Sequence, residues 1–353
     1  MHSSSRSRVR VLAARGFLLP SAALLAGAIA VAGCSTGPLA AAAGTSSLSR
    51  LQAEYEQVIR KVLPSVVQIS TDDSTGSGVV YDTSGDIVTN AHVIGNATSV
   101  RILDAAGNKE LTATVVGTFT PDDLAVVRVT SDAGALKPAS FGNSDDAQIG
   151  EIVLAMGNPL GLTDSVTQGI ISATGRTVGE GSGGGAAVIS AAIQTSAAIN
   201  PGNSGGALVD LAGQVVGIPT LAAKLPGQGG VAPGIGFAIP SNTVMNIADQ
   251  LIKSGKVTNS DRASLGITAQ TSASPSGDPV GVAVVAVTAG GPAADAGLLP
   301  GDLIVGIDDK TIATLQELES ALSTLKPAET ATIHYTRNGA AGTASVKLGS
   351  LGS

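Results

Sequence analysis

The sequence predicts a mainly β protein, a barrel or paired barrels followed by a smaller mixed module. Three observations carry that prediction. About ten short runs rich in Val, Ile and Thr lie between residues 65 and 240, with Gly, Asp and Asn between them. Glycine is abundant, 46 of 353 residues, without a three-residue period, which excludes collagen and suits tight turns. Helical periodicity is confined to a few stretches, so helices do not dominate.

The chain begins with a targeting pattern over residues 1–33. Arg6, Arg8, Arg10 and Arg15, with no acid, precede the apolar run FLLPSAALLAGAIAVAG. A basic start, an apolar stretch and small residues before a cut read as a secretory signal. A retained membrane anchor is the alternative, since the run is near the lower length for a spanning helix. VAGC at 31–34 resembles a bacterial lipobox, which implies lipid attachment at Cys34, the sole cysteine. Adjacent twin arginines are absent, which favours the general export route. Losing the four arginines moves the formal net charge from -7 to -11. Residues 34–50 are polar and small, and read as a flexible tether.

Residues 51–255 form the first domain. LQAEYEQVIRKVL (51–63) spaces its apolar residues as a short amphipathic helix before Pro64. The β-like runs follow, with DTSGD (82–86) and LDAAGNK (103–109) as hairpin loops. VGEGSGGGAA (178–187) reads as a mobile loop. SNTVMNIADQLIKSG (241–255) reads as a helix, with Ser241 as N-cap and Gly255 as its stop. A linker at 256–263 leads to a second domain at 264–350, ordered strand, strand, short helix, strand, helix, strand.

Composition removes several function classes. Acidic residues outnumber basic ones, 27 to 20, which argues against a polyanion binder and hence against nucleic acid. Aromatics are 2 % of the chain, too few for base-stacking platforms. One cysteine and three histidines leave no thiolate-rich or polyhistidine metal site.

The sharpest chemical signal is GNSGGAL (202–208). Ser204 sits among glycines at the start of a β run, where backbone N–H groups can be aimed at a developing oxyanion. A plain Gly-Ser turn is the bland alternative. His92 in TNAHVI (89–94) is the only histidine between residues 3 and 333. It reads either as a core histidine or as a base on a rigid strand end. Asp123 in PDDLAVVRV (121–129) directly precedes an alternating run, where a turn role competes with that of an orienting acid. Together they offer a nucleophile, a base and an acid.

That combination resembles the HtrA/Deg family of trypsin-like serine proteases. The likeness is carried by GSGVV (76–80), TNAHVI, DDLAVVRV (122–129), MGNPLG (156–161), VTQGIIS (166–172), IQTSAAINPGNSGGALVD (193–210) and GIGFAIP (234–240). It implies two six-stranded β-barrels with the active site in their cleft. His92 would be the general base, Asp123 its orienting acid and Ser204 the nucleophile, with Asp122 the competitor for the acid role. Gly202, Asn203 and Ser204 would supply the oxyanion hole. Ile199, Asn200 and Gly217, Ile218, Pro219 and Thr220 would line the substrate cleft. Two positions depart from the family pattern. Ser196 stands where an acid is usual, which puts local loop support or regulation in question, and Pro219 removes an N–H from the cleft edge.

LGI (265–267) and GGPAADAGLLPGDLIVGIDDKTI (290–312) resemble a PDZ domain. Leu265, Gly266 and Ile267 would hold the carboxylate of a C-terminal peptide, with the helix near 315–325 as the other groove wall. His334 reads as structural. The resemblance implies an endopeptidase of the bacterial cell envelope acting on unfolded or damaged proteins through an acyl-enzyme, with no cofactor. It also implies a homotrimer, regulation through the PDZ module and membrane attachment through Cys34. The alternative is a catalytically silent chaperone or peptide-binding envelope protein.

Overall fold

Helix α1 (Leu39–Val62) opens the described chain and starts well before the expected Leu51. The reason is local, because alanines crowd its first turns and alanine is the best helix former. The computed structural model describes residues 39–104, 109–130, 134, 136–158, 165–179, 187–200, 202–224 and 231–352. The expected signal segment, Cys34 and most of the loop at 178–187 lie outside these residues, as does the middle of the 103–109 hairpin loop. Two units divide the chain, Met1–Leu48 and Ser49–Ser353.

The first sheet is a closed six-stranded barrel in the order β1-β2-β3-β6-β5-β4. Its strands are β1 (Val66–Ser70), β2 (Thr75–Val80), β3 (Asp86–Thr89), β4 (Ser99–Leu103), β5 (Glu110–Phe119) and β6 (Leu124–Val129). A one-turn helix, α2 (Ala91–Ile94), follows β3. Inward residues such as Val67, Ile69, Ile87, Ile102 and Val127 fill the barrel. Its register shifts at one seam, between β5 and β6.

The second sheet corrects the expectation of two like six-stranded barrels. It comprises β7 (Ile152–Gly157), β8 (Ser165–Gly179), β9 (Val188–Thr195), β10 (Ala207–Val209), β11 (Val215–Lys224) and β12 (Val231–Pro240). These close on one another in the order β10-β11-β12-β9-β8-β7. The result is an irregular ring rather than a regular barrel. β10 has three residues, β12 meets β9 over three pairs, and registers shift between β8 and β9, β10 and β11, and β11 and β12. Each shift leaves a residue out of the ladder and bends the strand. Between β10 and β11 the chain turns where Asp210 Oδ1 accepts from the Gln214 N–H and Gly213 takes φ +72°.

Helix α3 (Ser241–Ser254) lays Val244, Ile247, Ala248 and Leu251 into the core between the two sheets, beside Val58 and Val62 of α1. Gly255 ends it at φ +68°. Ser241 is not the N-cap: Pro240 holds that position, and the Ser241 hydroxyl donates to Gly142 O at 2.7 Å.

The last module keeps its own core around Leu265, Val282, Ile304, Leu318 and Ile333. Its elements are β13 (Ala263–Ser264), β14 (Ile267–Ala273), β15 (Pro279–Val287), α4 (Pro292–Asp295), β16 (Leu303–Ile307), β17 (Lys310–Thr311), α5 (Leu315–Leu322), β18 (Thr330–Arg337), β19 (Ala340–Lys347) and β20 (Gly349–Ser350). Strands β14, β15, β16, β18 and β19 form its main sheet, with β17 on β16 and β13 on β20. Thr314 and Glu317 make a reciprocal capping box on α5.

Candidate active site

The site is assembled from both sheets. Asn90 follows β3 and stands at the N-cap of α2. Its Nδ2 donates to Asp123 O at 3.0 Å, and the Ala91 N–H donates to the same oxygen at 3.1 Å. Asp123 lies at the head of β6 with φ 51° and ψ 41°. Asp tolerates this left-handed conformation better than most residues. Both its carboxylate oxygens face His92: Oδ1 accepts from the His92 N–H at 2.9 Å, and Oδ2 lies 2.8 Å from Nδ1. An ionised carboxylate only accepts, so Nδ1 carries the proton and Nε2 is left as the basic nitrogen. Asp123 is buried, whereas the His92 side chain is 43 % exposed.

Thr220 of β11 joins the second sheet to this pair. Its hydroxyl donates to Asp123 Oδ2 at 2.6 Å, and its carbonyl accepts from the Ser204 hydroxyl at 3.1 Å. The Ser204 hydroxyl donates to the backbone of the same residue whose side chain holds Asp123. His92, Asp123, Ser204 and Thr220 are thus brought together.

The loop carrying Ser204 is held on several sides. Asn203 N–H donates to Asn200 O at 3.0 Å, and Gly205 N–H to Pro219 O at 2.9 Å. Gly202 takes φ +107° and Gly205 φ +80°. A methyl group on Gly205 would lie 2.2 Å from Ser77 O, so strand β2 and this loop meet only because the side chain is absent. Ile199 is buried against Gly236 and Asn200 is exposed. Gly217 packs on Ile239 O, while the Ile218 side chain is in the core.

Several polar residues at the site were not singled out by sequence reasoning: Ser77, Thr89, Asn90, Asn158 and Arg262. Ser77, Thr89, Asn90 and Asn158 fall within the quoted motifs GSGVV, TNAHVI and MGNPLG, and that was their only signal. Asp122, the competitor for the acid role, faces away from His92. Its Oδ1 accepts from Arg262 Nη1 at 2.8 Å, and the same Nη1 donates to Pro121 O. Burial pushes the Asp122 carboxyl above its ordinary value, and the Arg262 guanidinium pulls it back.

Leu265, Gly266 and Ile267 line a cavity of about 450 Å³ with Leu315, Leu318 and Leu322. Thr120, Pro121 and Val188 of the first domain also line it. His334 Nε2 lies 3.0 Å from Asp308 O. No helix among the described residues is long and apolar enough to cross a membrane.

Residues 76–218 match the trypsin-like peptidase domain family and residues 263–348 the PDZ domain family. The chain is 39 % identical to the serine protease PepD of Mycobacterium tuberculosis, over 91 % of this chain and 72 % of the relative. It is 42 % identical to the serine protease Do-like HtrA of Lactococcus lactis subsp. cremoris, over 78 % of this chain and 70 % of the relative. Among solved structures it resembles the serine endoprotease from Yersinia pestis at 35 % identity and a TM-score of 0.55, covering 84 % of this chain and 98 % of that one. The HtrA-type protease AlgW with a decapeptide aligns at 31 % identity and a TM-score of 0.56, with the same coverage.

Proposed function

From the premise that this chain belongs to the HtrA family of trypsin-like serine proteases and is a serine endopeptidase, we propose how its residues divide the work. Ser204 attacks the peptide carbonyl while Nε2 of His92 takes its proton. Asp123 holds the imidazole in that tautomer and offsets the charge it gains. The tetrahedral oxyanion is received by the N–H groups of Gly202 and Ser204; that of Asn203, expected to join them, instead donates to Asn200 O. The C–N bond breaks as His92 returns the proton to the leaving amine. Water, deprotonated by the same nitrogen, then attacks the Ser204 ester and releases the acid. Ile199, Asn200 and the 217–220 segment border the bound chain, with Pro219 offering no N–H and its carbonyl held by the Gly205 N–H.

The observation that carries this reading is the bonded series His92, Asp123, Thr220 and Ser204. The cavity between Leu265–Ile267 and α5 takes a C-terminal peptide, and its occupancy regulates access to the cleft. Relatives are described as periplasmic endoproteases, in keeping with envelope proteins as unfolded substrates here. The finer parts of the proposal are a signal at 1–33, lipid on Cys34, a tether at 34–50 that is helical from Leu39 rather than flexible throughout, a protease domain at 51–255, a linker at 256–263, a PDZ domain at 264–350 and a trimer.

The test compares hydrolysis of an unfolded protein by the wild type and by Ser204→Ala. Cleavage confined to the wild type is expected. Equal cleavage by both sinks the mechanism. Peptide binding without cleavage by either, even with the groove occupied, favours the silent-chaperone alternative. The intact mass of the exported chain reads whether Cys34 carries lipid.

A further inference from the structure

We propose that Ser77 is a positioning residue for the oxyanion loop, acting from the first barrel on a loop that belongs to the second sheet. The proposal rests on the endopeptidase reading above and adds a residue to its machinery.

The Ser204 N–H belongs to the peptide between Asn203 and Ser204. The planes on either side of that peptide carry the carbonyls of Gly202 and Ser204. Ser77 holds both. Its hydroxyl donates to Gly202 O, and its N–H donates to Ser204 O at 2.9 Å. With both neighbouring planes fixed, the plane between them has little freedom, and the direction of the Ser204 N–H is set. The loop adds a bond of its own on the middle plane, where the Gly206 N–H donates to Asn203 O at 2.9 Å.

Ser77 is itself held from two sides. Its hydroxyl accepts from the Asn158 N–H at 2.9 Å, just beyond β7, and its carbonyl accepts from the Thr89 hydroxyl at 2.7 Å. Thr89 ends β3, three residues before His92. Every donor and acceptor function of Ser77 is thus used, and the residue is fully buried. Filling space would not need a hydroxyl with both a donor and an acceptor partner. The flanking residues point the same way. A methyl on Gly76 would strike Val93 at 2.7 Å, and one on Gly78 would strike Ile87 at 2.6 Å. Glycine on both sides lets β2 pack tightly on Val93 and Ile87, which fixes the backbone that carries Ser77.

Ser77→Ala removes both hydroxyl bonds and keeps the N–H bond to Ser204 O. Ser77→Cys keeps the shape with a weaker donor. For a peptide substrate, kcat is expected to fall about ten- to a hundredfold in Ser77→Ala, and less in Ser77→Cys. KM should stay within about twofold. A peptide boronate forms a tetrahedral adduct on Ser204, so its affinity should fall by the same factor as kcat/KM. Thermal unfolding of each variant checks the fold, and Ser77→Cys carries the test if Ser77→Ala does not fold. Wild-type cleavage that Ser204→Ala abolishes upholds the underlying reading whatever the Ser77 variants do. The proposal is overturned if a folded variant keeps kcat within twofold, if KM absorbs the loss, or if boronate affinity does not follow. It is also overturned if neither variant folds, since Ser77 would then serve the fold alone.

Discussion

Thr220 donates its hydroxyl to Oδ2 of Asp123 across 2.6 Å, on the oxygen that also faces the His92 ring. One strand of the second sheet thereby aims the acid of the first. Thr220→Val keeps the shape and the carbonyl but removes that donor. The expected result is a kcat about tenfold lower with KM nearly unchanged, since the loss is one of orientation. Steady-state kinetics on a peptide substrate check it, and an unchanged kcat would remove Thr220 from the site.

Gly205 and Gly234 separate backbone strain from close approach. Both have positive φ, +80° and +74°, but only Gly205 has neighbours where a methyl group would stand. Gly205→Ala should abolish cleavage and destabilise the fold by about 2–3 kcal/mol, because strand β2 must shift. Gly234→Ala should cost about 1 kcal/mol and leave cleavage intact. Urea unfolding and a protease assay on both variants read the contrast.

The Arg262–Asp122 pair makes stability depend on pH. Burial raises the folded-state value of Asp122 above 3.8 despite Arg262 beside it. Its stabilising contribution is therefore complete below the unfolded value and is lost as pH rises through the folded one. Removing the guanidinium strengthens that dependence. Arg262→Met should lose about 3–5 kcal/mol at neutral pH and less under acid conditions. Unfolding at two pH values decides, and a loss independent of pH would mean that packing, not charge, is at stake.

Asp302 in the last module should behave in the opposite way. The paired guanidinium of Arg337 is the main reason its carboxyl lies below 3.8, and the Leu299 N–H adds to this. That stability is present above the unfolded value and is lost as pH falls through the lower folded value. Asp302→Asn should destabilise the chain at neutral pH and approach the wild type near the acid end. Thermal unfolding across an acid series measures the convergence.

The grouping of the candidate residues was legible where residue types are scarce. His92 stood alone across a long stretch, whereas the glycine setting of Ser204 also suited a plain turn and gained weight only beside His92 and Asp123. The choice between Asp122 and Asp123 could not be read from residue types, since both are acids before the same strand; a left-handed turn points one at His92 and the other at Arg262. Ser77 was hidden because one serine in a strand looks like any other until its partners, more than a hundred residues away at Gly202, are known. The second sheet was misjudged for a related reason. Alternation marks strands, but it does not record where β8 and β9 lose register. Helix α1 was read too short because an alanine-rich start has no apolar face to reveal its period.

The left-handed backbone of Asp123 has a consequence for how this site can be silenced. Of the common side chains, Asp and Asn settle most readily into such a turn, and only Asp gives His92 a charged acceptor. Asn at 123 would preserve the scaffold while presenting an amide to the imidazole. One altered codon could thus turn the cutting enzyme into a well-folded decoy that still grips a chain and scarcely cleaves it.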